Sequence, residues 1–169
     1  MKARRKAKRK TVESGKSASE LVYFEDRGTV YDGPLEVVWD FIMKDETFHP
    51  QAHTGVVRNF KSKALSDVTE VLSWETLEGR KWHARSARFT TIRPALRIQE
   101  DLDGPYAGST KVFVYSPRGP RTVVDVLCYM RSPKLTPRQI EVDFRKTLAG
   151  AYREDVPWFR KYVRSLKRN

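Results

Sequence analysis

The sequence contains two histidines, His49 and His53, whose four-residue spacing could allow them to bind a metal ion. On a helix, residues four apart share a face, and two imidazoles on one face can bind the same metal ion. A site needs a third ligand. Asp45, Glu46 and His83 are of suitable type, but nothing in their spacing brings them to the pair. We therefore interpret the two histidines as ordinary polar residues and predict no metal site.

Acid–base catalysis would need a buried titratable group, and the strand-like middle of the chain offers a few. These candidates are His83, Arg85, Arg88, Tyr115 and Asp125. None forms a known motif, and charged residues on strands are ordinarily solvated. Cys128 lies in an apolar run with no neighbouring base, which favours an inert buried thiol over a nucleophile. The sequence has no glycine-rich phosphate loop and no G-x-S-x-G elbow. No catalytic residue and no cofactor is assigned.

The net charge of +12 suggests a polyanionic partner until it is located along the chain. Residues 1–10 hold seven basic and no acidic side chains, residues 160–169 hold five basic ones, and the chain between these ends is nearly neutral. Blocks of like charge are usually solvated tails. Each basic residue near an anionic surface contributes about 1 kcal/mol, enough for loose adhesion. A solubilising tail is favoured, with weak nucleic-acid or anionic-membrane contact through these two ends as the alternative.

Length and cysteine content indicate one domain in a reducing compartment. A chain of 169 residues can bury a core without disulfides, and its single cysteine cannot form an internal one. No run approaches the roughly 20 apolar residues of a membrane span. We predict a cytoplasmic protein with a flexible basic leader over residues 1–19 and one domain over residues 20–169.

The elements that must position any site are predicted from periodicity and turn signals. Aromatic and β-branched residues mark a first strand over 21–31, with a bulge or bend at Gly28. A short amphipathic helix follows Pro34, and a second brief helical segment runs from about 45 to 53. Six strand-like runs follow, separated by turn signals that leave no room for a helix. They span about 56–64, 68–77, 80–93, 95–103, 108–117 and 120–131.

The C-terminal segment predicts one long amphipathic helix. Thr136, Pro137 and Gln139 form a capping-box start, and apolar residues then recur every three or four positions to about Leu166. Pro157 removes one backbone hydrogen bond and should kink the helix.

This order of elements resembles the helix-grip arrangement of the START-like (SRPBCC) superfamily over roughly residues 21–166. The run TVYDGPLEVVWDF, from Thr29 to Phe41, is similar to the family's strand-to-helix entry. There a proline, here Pro34, opens the helix and an aromatic, here Trp39, packs from it. The resemblance implies an α+β fold: a seven-stranded curved antiparallel sheet, two short helices and a long C-terminal helix. Members bind lipids, sterols, polyketides or plant hormones, and some are cyclases or dehydratases, so fold alone does not choose a function.

A curved sheet crossed by a helix has a geometric reason to enclose a cavity. The helix reaches the rim more easily than the floor, which leaves an interior of roughly 300–1,000 Å³. The predicted lining residues are Trp74, Trp82, Phe89, Ile98, Val112, Val114, Val124, Val126, Cys128, Phe144, Leu148 and Tyr152. Each of them would serve equally well as core filling, because bulky side chains can close such a space.

Three functions are compatible with this sequence. The leading hypothesis is noncatalytic binding or transport of a small apolar or amphipathic ligand, lipid-like or polyketide-like, between sheet and C-terminal helix. The second is a cyclase- or dehydratase-like enzyme in the same cavity. The third is a nucleic-acid or anionic-membrane adaptor that works through the basic ends.

Overall fold

The computed structural model describes residues 20–43, 53 and 55–167. The predicted leader over residues 1–19 lies outside them, so its division from the domain stays a prediction. Almost all of the predicted second helical segment, residues 45–53, also lies outside.

The first strand, β1, spans Val22–Tyr31 and leads into helix α1, Leu35–Met43. Its pairing shifts between Asp26 and Thr29, and Gly28 between them has a φ of 84°. Glycine reaches this left-handed conformation without a Cβ penalty, which confirms the predicted bulge. A Cβ on Gly33, in the turn between β1 and α1, would lie 2.7 Å from Cζ of Phe159, so glycine also permits a close approach to the C-terminal helix.

The remaining strands form an antiparallel meander, as predicted. They are β2 (Val57–Ala64), β3 (Thr69–Glu78), β4 (Lys81–Ile92), β5 (Leu96–Asp101), β6 (Thr110–Arg118) and β7 (Arg121–Met130). All bounds agree with the predicted ones within two residues. The seven strands lie in the order β1, β7, β6, β5, β4, β3, β2, and every neighbouring pair is antiparallel.

The second described helix, α2, spans Pro137–Leu166 and crosses the sheet. Thr136 accepts from the backbone N–H of Gln139, and the Gln139 side chain accepts from the N–H of Thr136, which confirms the predicted capping box. The helix continues through Pro157. Neither described helix is long and apolar enough to cross a membrane.

The core consists of two separate clusters on one face of the sheet. The larger joins α1 and α2 to β1, β6 and β7, and in it the Phe41 ring contacts those of both Phe159 and Tyr162. One face of β7 is buried throughout, namely Thr122, Val124, Val126, Cys128 and Met130. The smaller cluster lies on β3 and β4, where Leu72, Ala87 and Phe89 pack with Trp74. The space between the two clusters is not filled by side chains.

Candidate functional site: a two-chamber cavity

Two adjoining chambers occupy the space between the sheet and α2. The inner chamber, about 220 Å³, lies against β1, β6 and β7 and is walled by Tyr31, Phe113, Val124, Val126 and Leu148 among others. The outer chamber, about 550 Å³, lies against β2 to β5 and is walled by Phe60, Leu72, Trp74, Phe89 and Phe144 among others. His53, Arg97 and Ala151 line both chambers, and we call the place where the chambers meet at these three residues the neck.

Seven of the twelve predicted lining residues face this cavity. Trp74, Phe89 and Phe144 line the outer chamber, and Val124, Val126, Leu148 and Tyr152 line the inner one. Cys128 lies in the larger core cluster, fully buried, and lines neither chamber. Ligand contact by the seven stays a prediction.

The other four predicted residues line neither chamber, because each lies on the face of its strand that points away from them. On β5, Arg97 and Gln99 line the cavity, so Ile98 between them points away. On β6, Lys111, Phe113 and Tyr115 line it, so Val112 and Val114 point away. On β4 the cavity-facing residues include Arg85 and Phe89, so Trp82 points away, and its ring instead lies 4.1 Å beneath the Arg58 guanidinium. Successive side chains of a strand alternate between its two faces, and on β5 the polar set, which includes Arg97 and Gln99, faces the cavity.

Arg97 at the neck is a buried cation with incomplete pairing. Its side chain is 8% exposed, and its guanidinium carbon lies 4.2 Å from the centroid of the Phe89 ring. Its nearest acidic neighbour, Glu70, lies at 3.6 Å, beyond ordinary hydrogen-bond range. Its Nε makes no hydrogen bond to any described residue.

Lys111 and Asp101 form a second buried polar group, in the outer chamber. Their Nζ and Oδ2 atoms lie 2.7 Å apart, and Gln99 donates to Oδ1 of Asp101 at 2.8 Å. Burial lowers the pKa of the Lys111 amine, while the Asp101 charge opposes that shift. The pair is therefore internally satisfied.

A third polar group joins α2 to β1 and to His53. Nδ1 of His53 lies 2.7 Å from Glu154 Oε2, and Nε2 lies 3.1 Å from Asp155 Oδ1. The Tyr31 hydroxyl donates to the other Asp155 oxygen at 2.9 Å. Burial and the Asp155 charge raise the pKa of Tyr31, so its phenol stays protonated and can donate at neutral pH.

Tyr115 places a further hydroxyl in the inner chamber, beside Arg97. Burial raises the pKa of Tyr115 to about 12, although the Arg97 charge acts in the opposite direction. The phenol is therefore neutral and available as a donor at neutral pH. Its ring packs edge-on against Trp39 at a centroid distance of 5.3 Å.

The remaining polar candidates from the sequence are scattered. Arg85 lines the outer chamber beside its ion-pair partner Glu78. His83 is exposed and lines neither chamber, Arg88 pairs with Glu100 at 2.6 Å away from the cavity, and Asp125 accepts from the N–H of Gly28. Among the described residues, no group of three or more His, Cys, Asp or Glu side chains could hold a metal ion. His49 lies outside the described residues.

Sequence reasoning missed four cavity residues, namely Arg97, Gln99, Asp101 and Lys111. Charged residues at every second position of a strand normally mark the face exposed to solvent. On β5 and β6 that rule selects the convex face for the cavity, whereas these charged residues lie on the concave one. The pairing becomes visible once the register is known: Lys111 lies opposite Gln99, next to Asp101, so the polar set on β5 meets a complementary charge on β6. Such cross-strand complementarity is compatible with a buried polar face.

Chemically, the site combines apolar walls with polar groups gathered at the neck. The walls suit a hydrocarbon or aromatic body, and Arg97 and Tyr115 offer hydrogen-bond donors to a polar end. His53 lines both chambers, and its partner Asp155 lines the inner one. The arrangement fits orientation of an amphipathic molecule, and it contains groups able to move a proton.

Comparisons with known proteins identify the architecture. No protein-family model and no curated protein matches the sequence. The chain is similar in structure to Ara h 8.0201, with a TM-score of 0.68 and 8% identity over 84% of this chain and 99% of that one.

Two further solved structures share the arrangement. ZhuI aromatase/cyclase from Streptomyces sp. R1128 has a TM-score of 0.62 at 10% identity, covering 87% of this chain and 96% of that one. Norcoclaurine synthase from Thalictrum flavum, solved with dopamine and hydroxybenzaldehyde, has a TM-score of 0.61 at 11% identity, covering 96% and 99%. At such identities these likenesses show a common fold alone.

Proposed function

Because the chain has the helix-grip fold of START-like (SRPBCC) proteins, we propose that it binds an amphipathic small molecule in the two chambers between sheet and α2. The observation that carries this proposal is the cavity itself, about 550 and 220 Å³ in its two parts, with aromatic and aliphatic walls. This size lies in the range of sites for small organic ligands. The bound aromatic molecules of norcoclaurine synthase, which has the same fold, support it.

The walls can supply most of the binding free energy. Removing ~300 Å² of ligand hydrocarbon from water contributes on the order of 7 kcal/mol before association costs. Because seven strands and a capped helix frame the cavity, little of that gain is spent on ordering the protein.

Two alanines on α2 provide a matched test. Ala151 lies at the neck and lines both chambers, whereas Ala149, on the same helix, is exposed. Titration with the neutral dye Nile red, followed by fluorescence, should show saturable binding to the wild type. Ala151→Trp should abolish it, because the indole fills the neck.

The control variant Ala149→Trp makes the same exchange with the same change in helix propensity, and it should bind like the wild type. Absence of saturable binding by the wild type would overturn the proposal. Equal binding by both variants would place the dye outside the two chambers.

The His53 contacts favour one second function, a dehydratase- or cyclase-like activity in the same cavity. When protonated, His53 donates to Glu154 and Asp155, which orient its ring beside the neck. If Nε2–H gives up its longer contact, 3.1 Å to Asp155, it can protonate a departing hydroxyl while the released Asp155 carboxylate takes the α-proton, so that a β-hydroxy ketone loses water to give the conjugated enone.

The test is dehydration of 4-hydroxy-4-phenylbutan-2-one, followed by enone absorbance. Wild type should exceed the buffer rate, and His53→Gln should lose the excess while keeping Nile red binding. A wild-type rate equal to buffer would leave binding as the function.

A further inference from the structure

The Arg97 guanidinium differs from every other charged group around the cavity. Each of the other charged side chains that line either chamber has a hydrogen-bond or ion-pair partner within 3.2 Å. These pairs join Asp26 to Arg145, His53 to Glu154 and Asp155, Arg85 to Glu78, Asp101 to Lys111, and Asp103 to Ser86. Arg97 has no partner within that distance among the described residues.

A buried charge without a close partner is costly, and proteins normally pair it. Glu70 does not meet this need, because its oxygen lies 3.6 Å from the Arg97 NH2 group and its own side chain is 32% exposed. The acidic residues nearest to Arg97 within the inner chamber, Asp26 and Asp155, are held by Arg145, Tyr31 and His53. The carboxylates of the protein around the neck are thus engaged by other side chains, and none of them pairs closely with Arg97.

The position of Arg97 is fixed by its neighbours. Its guanidinium lies over the Phe89 ring, and this contact leaves the edge of the group free to donate. The neutral hydroxyl of Tyr115 lines the inner chamber with it and adds another donor. Guanidinium N–H groups match the two oxygens of a carboxylate in geometry and charge.

We propose that the ligand carries a carboxylate that pairs with Arg97 at the neck, while its apolar body occupies the chambers. This inference rests on the proposed binding function and adds the chemical class of the ligand. A carboxylate supplies the acceptor that the buried guanidinium lacks, and it gives the ligand a fixed orientation between the two chambers.

The first test compares an acid with its ester. cis-Parinaric acid and its methyl ester share one apolar body, and their fluorescence reports binding at pH 7.5, where the acid is ionised. Wild type should bind the acid at least about tenfold more tightly, as expected for a buried charge-assisted hydrogen bond. 2-Naphthoic acid and methyl 2-naphthoate, in competition with Nile red, repeat the comparison with an aromatic body and show which kind of body the chambers prefer.

The second test removes the cation. Arg97→Met keeps length and apolar volume, and its preference for acid over ester should fall to about one while ester affinity is retained. Arg88→Met makes the same exchange on the convex face, where Arg88 pairs with Glu100, and should keep the wild-type preference. Arg97→Lys retains the charge and should keep part of the preference, which covers the case in which Arg97→Met fails to fold.

The outcomes separate the two proposals. Equal affinity of wild type for acid and ester overturns the carboxylate inference and leaves the binding function standing. A preference that survives in Arg97→Met also overturns it, because the carboxylate then binds elsewhere. Failure of wild type to bind any of the four probes or Nile red overturns both proposals.

Discussion

The buried bond between Tyr31 and Asp155 should be one of the strongest single polar contributions to the stability of this fold. The Tyr31 hydroxyl donates to Asp155 at 2.9 Å, and it joins β1 to α2 across 124 positions of the chain. Both residues are about 5% exposed. The perturbations are Tyr31→Phe, Asp155→Leu and the double variant, which keep the shapes of the side chains and remove the bond from either end.

The magnitudes follow from burial and charge. Tyr31→Phe removes a donor from a buried carboxylate and should cost about 1.5–3 kcal/mol. Asp155→Leu also leaves His53 without its 3.1 Å partner, so we expect about 3–5 kcal/mol. The double variant should cost less than the sum of the singles by about 1.5–3 kcal/mol, since the other contacts of Asp155 cancel in the cycle.

Urea unfolding followed by circular dichroism at pH 7 measures these values, and Tyr31→Phe should lower the midpoint by about 1 M. The raised pKa of Tyr31 means that its proton, and hence this contribution, is present at pH 7 and is lost only as the pH rises above the ordinary phenol value. Tyr152→Phe is the matched control: its hydroxyl donates to the neutral carbonyl of Val30, so it should cost only about 0.5–1.5 kcal/mol. A coupling near zero in the cycle would refute the reasoning.

Three further predictions concern other groups. Lys111→Met leaves the Asp101 carboxylate, 11% exposed, without its cation and should lower the free energy of unfolding, measured in urea, by about 3–5 kcal/mol. Adding Asp101→Leu should recover most of this loss. If it recovers none, the loss does not come from the unpaired Asp101 charge. Burial raises the pKa of the Cys128 thiol to about 12, so iodoacetamide at pH 8 should label it, by mass spectrometry, far more slowly in the native protein than in urea; equal rates would contradict this. Deleting residues 1–19, which carry the basic run of residues 1–10, should weaken sedimentation with phosphatidylglycerol vesicles at low salt and leave Nile red affinity unchanged; equal sedimentation of both forms would exclude adhesion through this end.

The fold could be predicted from the sequence because its local signals agree with one another. Turn residues delimit strands whose bounds hold to within two residues, and the Thr136 and Gln139 capping box sets the start of α2. The left-handed glycine at position 28 also fell where a bulge was expected. These features depend on residues close in sequence, so no tertiary information was needed to find them.

The site could be predicted only in part, because strand alternation gives two faces and does not say which one is concave. On β7 the apolar face is the concave one, and Val124 and Val126 line the inner chamber. On β5 and β6 the concave face carries Arg97 and Lys111, so the usual rule selected the convex face. The partner that makes Lys111 acceptable is Asp101, ten residues away on the neighbouring strand, and it is recognised only once the register is known.

The polar concave face of β5 and β6 is itself an argument for a cavity. Had α2 packed directly on these strands, Arg97 and Lys111 would be pressed into hydrocarbon, and replacing them by apolar residues would improve stability. The structure instead has a chamber above these two residues. The Arg97 Nε has no hydrogen-bond partner among the described residues, whereas the Lys111 amine forms an ion pair with Asp101. Retaining a buried, incompletely paired guanidinium costs stability, and an acceptor that enters from outside the protein would offset that cost. A ligand with an anionic oxygen supplies such an acceptor. Comparing the binding of acid and ester is therefore a sharper test of ligand binding in this cavity than the cavity volume is.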